Sequence, residues 1–209
     1  MSNPTPNQAP NSPPQHSDAL QWTRTLLESR RSTLPKRLRS PGPDAAQQAA
    51  ILAAAAAAPD HGQLLPWRFI EVPQSHRAEL AQAFADALLE RDPGASADEL
   101  EQAREKAHRA PWLLLAVCRV RGGDPDIPGQ ERLLSAGCAI QNILLLASAA
   151  GYGSGLTSGK ALASRALRQL FALREDEDAL CFINIGTISE ARRGKPRPDS
   201  SAYFSRLGD

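Results

Sequence analysis

Apolar residues crowd most densely into residues 131–159, ERLLSAGCAIQNILLLASAAGYGSGLTSG. Over the first twenty of these, Leu133, Leu134, Ile140, Ile143, Leu144, Leu145 and Leu146 wrap nearly all the way round a helix. A helix apolar on every side belongs inside a core or an interface. Ser135, Gly137, Gln141 and Asn142 interrupt it too often to predict a membrane span. Its small residues, among them Ala136, Gly137, Ala139 and Ala147, let another backbone approach closely. Gly151, Gly153, Gly155 and Gly159 follow, where the chain can take positive φ and press against a ligand. A buried helix feeding a glycine-rich turn predicts a platform for a flat cofactor. An ordinary core helix with a flexible exit fits the same pattern.

The remaining periodicities give the other elements. Asp18 is placed to cap a helix carrying Leu20, Trp22, Leu26 and Leu27, running to about Ser29. Asp44 caps an alanine-rich helix through Ala58, which Pro59 ends. Residues 66–72 read as a strand, and a helix starts at Ser75 with Leu80, Phe84, Leu88 and Leu89 on its face. Residues 97–108 are charged almost throughout and predict an exposed helix or lid. APWLLLAVCRV, residues 110–120, is a buried strand bounded by Pro111 and Gly122. A short strand over 152–156, an amphipathic helix over 161–171 and a strand over 178–187 complete the order. That order predicts an α+β or α/β layered domain around one small sheet.

Composition narrows the class. The 209 residues suit one domain with a tail: 1–17, rich in Pro, Asn, Ser and Gln, is expected to be disordered, and 18–209 to form the domain with an extended C-terminal arm. A net charge of +1 leaves no electrostatic footprint for nucleic acid. With no run of eighteen apolar residues, no membrane span is expected, and the N-terminal stretch has neither the basic start nor the apolar core of a secretory signal. Cys118, Cys138 and Cys181 all sit in apolar segments without a CxxC pair, which predicts buried, reduced thiols and a cytoplasmic setting. The four His have no metal-ligand spacing, so no metal site is expected. No GxGxxG opens a helix after a strand, no GxxxxGK[ST] occurs, and Gly153-Ser154-Gly155 falls short of a nucleophile elbow.

Two stretches carry candidate chemistry. Arg30-Arg31-Ser32-Thr33 puts two guanidinium forks beside two hydroxyls, a set that suits phosphate oxygens. A solvated basic helix end complementing the macrodipole would read the same. His61, after the turn Pro59-Asp60, is either a ligand-facing donor or a loop residue satisfied by Asp60.

Taken together, Arg30-Arg31-Ser32, Ala58-Pro59-Asp60-His61, Pro66-Trp67-Arg68-Phe69, Ser135-Ala136-Gly137-Cys138-Ala139 and Asn184-Ile185-Gly186-Thr187 occur in the order and spacing of the nitroreductase family. The chain resembles its small bacterial members over roughly residues 18–197. The resemblance implies an α+β, three-layer α-β-α sandwich with a small central mixed sheet, and an obligate homodimer with FMN at the interface. It implies a flavin reduced by NADH or NADPH and reoxidised, ping-pong fashion, by a nitroaromatic, quinone or similar small-molecule acceptor. Arg30, Arg31 and Ser32 match the positions that hold the FMN phosphate and nearby oxygens, and His61 matches a flavin-contacting position. Leu156, Thr157, Ser158 and Gly159 match the loop that touches the flavin. Arg193, Lys195 and Arg197 offer a late cation for the phosphate. Because the flavin carries the electrons, no catalytic side chain is expected. Two positions depart from the family: Leu65, where many relatives have Gln, and Leu156-Thr157, where close relatives have Trp-Arg. Those departures bear on FMN affinity and nucleotide choice. They leave open a flavin carrier or sensor without NAD(P)H turnover, and a cofactor-free interaction protein.

Overall fold

The computed structural model describes residues 16–190 and 196–208. In order, the elements are α1 (His16–Ser29), β1 (Leu38–Arg39), α2 (Ala45–Ala53), β2 (Trp67–Glu71), α3 (Arg77–Arg91), α4 (Ala97–Glu105), β3 (Trp112–Arg119), α5 (Gly129–Ala149), β4 (Gly153–Thr157), α6 (Arg165–Leu170) and β5 (Glu177–Ile188).

β3 shows why there are three layers. Its side chains alternate, Trp112, Leu114, Ala116 and Cys118 entering one core and Leu113, Leu115 and Val117 the other. A strand covered on both faces is apolar throughout, which is how APWLLLAVCRV reads. α2 and α5 close the first core, and α3 and α6 the second. The sheet runs β1-β5-β3-β2, with β4 also on β5. β5 gives one edge to β3 and shares the other between β4, at residues 182–186, and β1, at 187–188. All these pairs are antiparallel, not mixed; among the described residues the one parallel pairing is the bridge Ser32–Ser154. Strand direction is set by the connections, which an apolar pattern does not encode.

Local chemistry places most element ends. Asp44 caps α2 through a reciprocal box: its Oδ1 accepts from Gln47 N at 2.9 Å, and its own N–H donates to Gln47 Oε1 at 2.9 Å. The alanine run tightens into a 3-10 turn over Ala54–Ala57. α1 begins at His16, so Asp18 lies in its first turn rather than capping it; the rest of the predicted disordered tail lies outside the described residues. The helix expected over 161–171 is broken into a 3-10 turn, Lys160–Ala163, and α6, because Ser164 stops one and caps the other. The charged segment 97–108 is no free lid: α4 and the turn Lys106–His108 bury Ala103 and Ala107 against α3. β1 spans only two residues, too few for any periodicity to reveal.

Buried charges tie the layers together. Arg77, 1 % exposed, donates Nε to Val72 O at 2.8 Å and Nη1 to Ala107 O at 2.7 Å, locking the start of α3 to the end of β2. Arg132, on the first turns of α5, spends its guanidinium on the carbonyls of Gly122, Asp124 and Ile127, which fixes the preceding loop. By length and composition alone α5 could cross a membrane, but one face of it, with Ala136, Ala139, Ile140, Ile143, Leu144 and Ala147, is buried as a core helix. Its other face is open. Leu133, Leu134, Gly137 and Cys138 are exposed, so Cys138 is not the buried thiol expected, whereas Cys118 and Cys181 are. Burial pushes both of those thiols up to about 11, so neither is a nucleophile at neutral pH.

Candidate functional site

Leaving α1, the chain runs alongside β4. Thr33 N donates to Ser154 O at 2.8 Å, next to the Ser32–Ser154 bridge. The β4 glycines make this possible. A Cβ at residue 155 would lie 2.2 Å from Thr33 O, and one at residue 153 would lie 2.5 Å from Ile188 and 2.9 Å from Leu38. Gly153 and Gly155 therefore admit another segment of the same chain, not the ligand their spacing suggested. Gly155→Ala is expected to push residues 30–33 off β4 and to cost about 2–4 kcal/mol, in the range of a strained, overpacked site. Chemical denaturation compared with the unsubstituted chain checks it; an unchanged midpoint would refute the packing role.

This docking fixes a cluster of cations at the end of α1. Arg197 Nη2 donates to Arg30 O at 2.8 Å and Leu27 O at 3.2 Å, while Arg31 Nη1 donates to Arg30 O at 3.0 Å and to Glu28 O. These bonds satisfy the last carbonyls of the helix, as expected of a basic helix end. They do not neutralise the charge. Among the described residues none of Arg30, Arg31 and Arg197 has a carboxylate partner. Burial, then the positive Arg197 and Arg31, hold the Arg30 guanidinium below its ordinary value. Three mutually repelling forks without a counter-ion suit a phosphomonoester dianion, so the residues present fit the phosphate of FMN. Arg193 and Lys195 lie outside the described residues.

At the far end of β4, Thr157, Ser158 and Gly159 border a cavity of about 380 Å³ between the sheet and α3–α4. Leu34, next to the cation cluster, forms another part of its wall. Phe84, Leu113 and Phe182 supply an apolar lining, as a flat ring system requires. Asn184 is buried there, its Nδ2 donating to Thr157 Oγ1 at 3.0 Å and to Gly155 O at 3.2 Å, which holds the end of β4 in place. Arg91, Lys106, Arg109 and Lys160 add four cations, none paired with a carboxylate among the described residues.

The structure thus unites Arg30, Arg31, Ser32 and Arg197 in one place, and Thr157, Ser158 and Gly159 in the cavity beside it. Two predicted residues stand apart. Leu156 is 47 % exposed and lies outside the cavity wall. His61 lines no part of the cavity; its Nδ1 pairs with Glu131 Oε2 at 2.8 Å on the first turn of α5, not with Asp60. Asp60 instead accepts from Leu65 N at 2.8 Å. That bond restrains a turn in which Gln63 and Leu65 take left-handed φ of 52° and 43°. Leu65, in that turn, is exposed. The sequence places Asn184 in a family motif without a site role and gives Lys106 and Arg109 none, although an Asn inside an apolar strand is a signal, since it must find partners when buried. Among the described residues no group of His, Cys, Asp or Glu could hold a metal.

A family model, that of the nitroreductase family, matches residues 27–187. The chain belongs to the nitroreductase family. Family membership makes it an oxidoreductase. A Haemophilus influenzae protein named as a candidate NAD(P)H nitroreductase is 37 % identical over 166 residues, covering 79 % of this chain and 88 % of that protein. YfhC of Bacillus subtilis, similarly named, is 32 % identical over 189 residues, covering 88 % and 93 %. Among solved structures, a nitroreductase-like protein from Bacillus cereus superposes with a TM-score of 0.77 at 18 % identity, over 89 % of this chain and 96 % of that one. Iodotyrosine deiodinase bound to FMN and 3-iodo-L-tyrosine gives 0.66 at 17 % identity, over 89 % and 98 %. These structures share the nitroreductase three-layer fold seen here.

Proposed function

We propose that this nitroreductase-family chain is an FMN-dependent enzyme. It takes electrons from NADH or NADPH and passes them, ping-pong fashion, to a nitroaromatic, quinone or similar acceptor. The observation that carries this reading is the counter-ion-free trio Arg30, Arg31 and Arg197 set beside a cavity with apolar walls. Arg30, Arg31, Ser32 and Arg197 would hold the phosphate, and Thr157, Ser158 and Gly159 would support the ring. FMN, when bound, supplies the two-electron chemistry that links donor to acceptor. Lys106 and Arg109 hold the positive end of the cavity, where they favour negative charge on whatever occupies it. Asn184 keeps Thr157 in register with the ring.

The active form in this reading is a homodimer, with FMN at the interface. Leu134 on α5 is 70 % exposed and Trp22 on α1 is 64 % exposed, in elements that touch each other. An apolar face of this kind on one chain supports a self-complementary interface. His61 and Leu65, presented on a restrained turn away from their own cavity, would then reach the partner's flavin. A cytoplasmic setting accords with three unpaired cysteines.

The visible absorption spectrum of the purified protein tests the reading. A flavin band is expected that bleaches under anaerobic NADPH or NADH and returns on adding an acceptor. No band even after loading with FMN would sink the proposal. A band that neither nucleotide bleaches would move it to a flavin carrier or sensor.

A further inference from the structure

A second hollow opens next to the flavin cavity. It measures about 770 Å³ and is lined by Lys36, Arg39, Ser40, His108 and Arg109, with Glu105 as its one carboxylate. Arg109 borders both hollows, so they adjoin at this residue. Arg39 is set in place by its own backbone, Nη1 donating to Lys36 O at 2.8 Å and Leu38 O at 3.1 Å, which leaves the rest of its fork free. Among the described residues neither Lys36, Arg39 nor Arg109 is paired with a carboxylate, and neither is Glu105 with a cation. The chain as a whole has 24 Lys and Arg against 23 Asp and Glu. The local excess is therefore an arrangement and not a consequence of composition. Clustered cations of this kind raise the local concentration of anions and bind phosphate oxygens by charge-assisted hydrogen bonds.

We infer that this hollow receives the phosphomonoester of the nicotinamide donor, so that the enzyme discriminates for NADPH against NADH. The inference rests on the proposed flavin chemistry and adds the identity of the donor. A donor must put its nicotinamide end into the flavin cavity. Where its far end leaves past Arg109, which both hollows share, only NADPH brings a 2′-phosphate that Lys36, Arg39 and Arg109 can meet. Ser40 and His108 lie close enough to the same wall to complete the donor set.

The test uses the full-length, FMN-loaded protein. The kcat/KM for NADPH is expected to exceed that for NADH at least tenfold, and Lys36→Glu is expected to remove most of that ratio through KM for NADPH. Equal ratios in the unsubstituted enzyme, or a Lys36→Glu variant that weakens both donors alike, would overturn the inference. A binding readout stands beside it. Adenosine 2′,5′-bisphosphate, titrated calorimetrically, is expected to bind at least tenfold more tightly than adenosine 5′-monophosphate, and Arg39→Gln to shrink the difference. Indistinguishable titrations would overturn it whether or not the protein turns over. A protein that holds no flavin but still prefers the bisphosphate would refute the proposed function and leave the phosphate site standing.

Discussion

Replacing Arg30 and Arg31 together by Ala is expected to abolish retention of FMN while leaving the fold intact. Each guanidinium contributes a charge-assisted contact to the phosphate of about 1.5–3 kcal/mol. Losing both lowers affinity by roughly 10²- to 10⁴-fold, since each 1.4 kcal/mol is a factor of ten. Stability is expected to change little, for a reason visible in the cluster. Arg30 is held below its ordinary value by burial and by the like charges of Arg197 and Arg31. Removing two of three crowded cations relieves that repulsion, and it offsets the small loss of the Arg31 bonds to the helix end. Flavin content by absorbance, read against a thermal melt, checks both halves. A double variant that purifies yellow would show that the phosphate lies elsewhere.

The second large effect is on stability and on its dependence on acid. Glu177, at the start of β5, is 1 % exposed. It accepts from Arg68 Nε at 2.8 Å and Nη2 at 2.9 Å, and from Arg174 N and Nη2 at 3.0 Å each. Arg68 before all others, joined by Arg174, holds the Glu177 carboxyl down at about 2, against the desolvation that would raise it. A depressed carboxylate stabilises the fold fully above its unfolded pKa, and that contribution is lost as pH falls through the folded one. The stabilisation is thus complete above about pH 5 and drains away between roughly pH 4.5 and 2. Its size is about 2–3 kcal/mol, taking one pKa unit as 1.36 kcal/mol and discounting for the partly solvated Arg68 side chain. Glu177→Gln is expected to cost that much at pH 7 and much less at pH 3. Urea denaturation of both chains at the two pH values checks this; parallel losses at pH 7 and pH 3 would refute the charge as the cause.

Much of the fold was legible because its signals are local. The Asp44–Gln47 box, the alanine run, the doubly buried β3 and the all-round apolar α5 each follow from residues a few positions apart. The site was half legible in the same way. Arg30, Arg31 and Ser32 are neighbours in sequence, a set that suits an anion and equally a basic helix end. What misled was glycine: the spacing of Gly153 and Gly155 looked like room for a ligand, whereas the space is filled by Thr33. Leu156 and His61 match family positions yet lie away from the cavity of their own chain.

The sequence by itself determined most of the elements, the family and the run of adjacent cations at Arg30 and Arg31, because helix caps, strand alternation and neighbouring residues act over a few positions. Only the tertiary structure decided that the sheet is antiparallel and that β5 serves three partners. It alone brought Arg197 onto Arg30, Asn184 onto Thr157, and Arg109 between two hollows. Those contacts join residues far apart in the chain, and their meeting depends on how the layers pack, which no local pattern records.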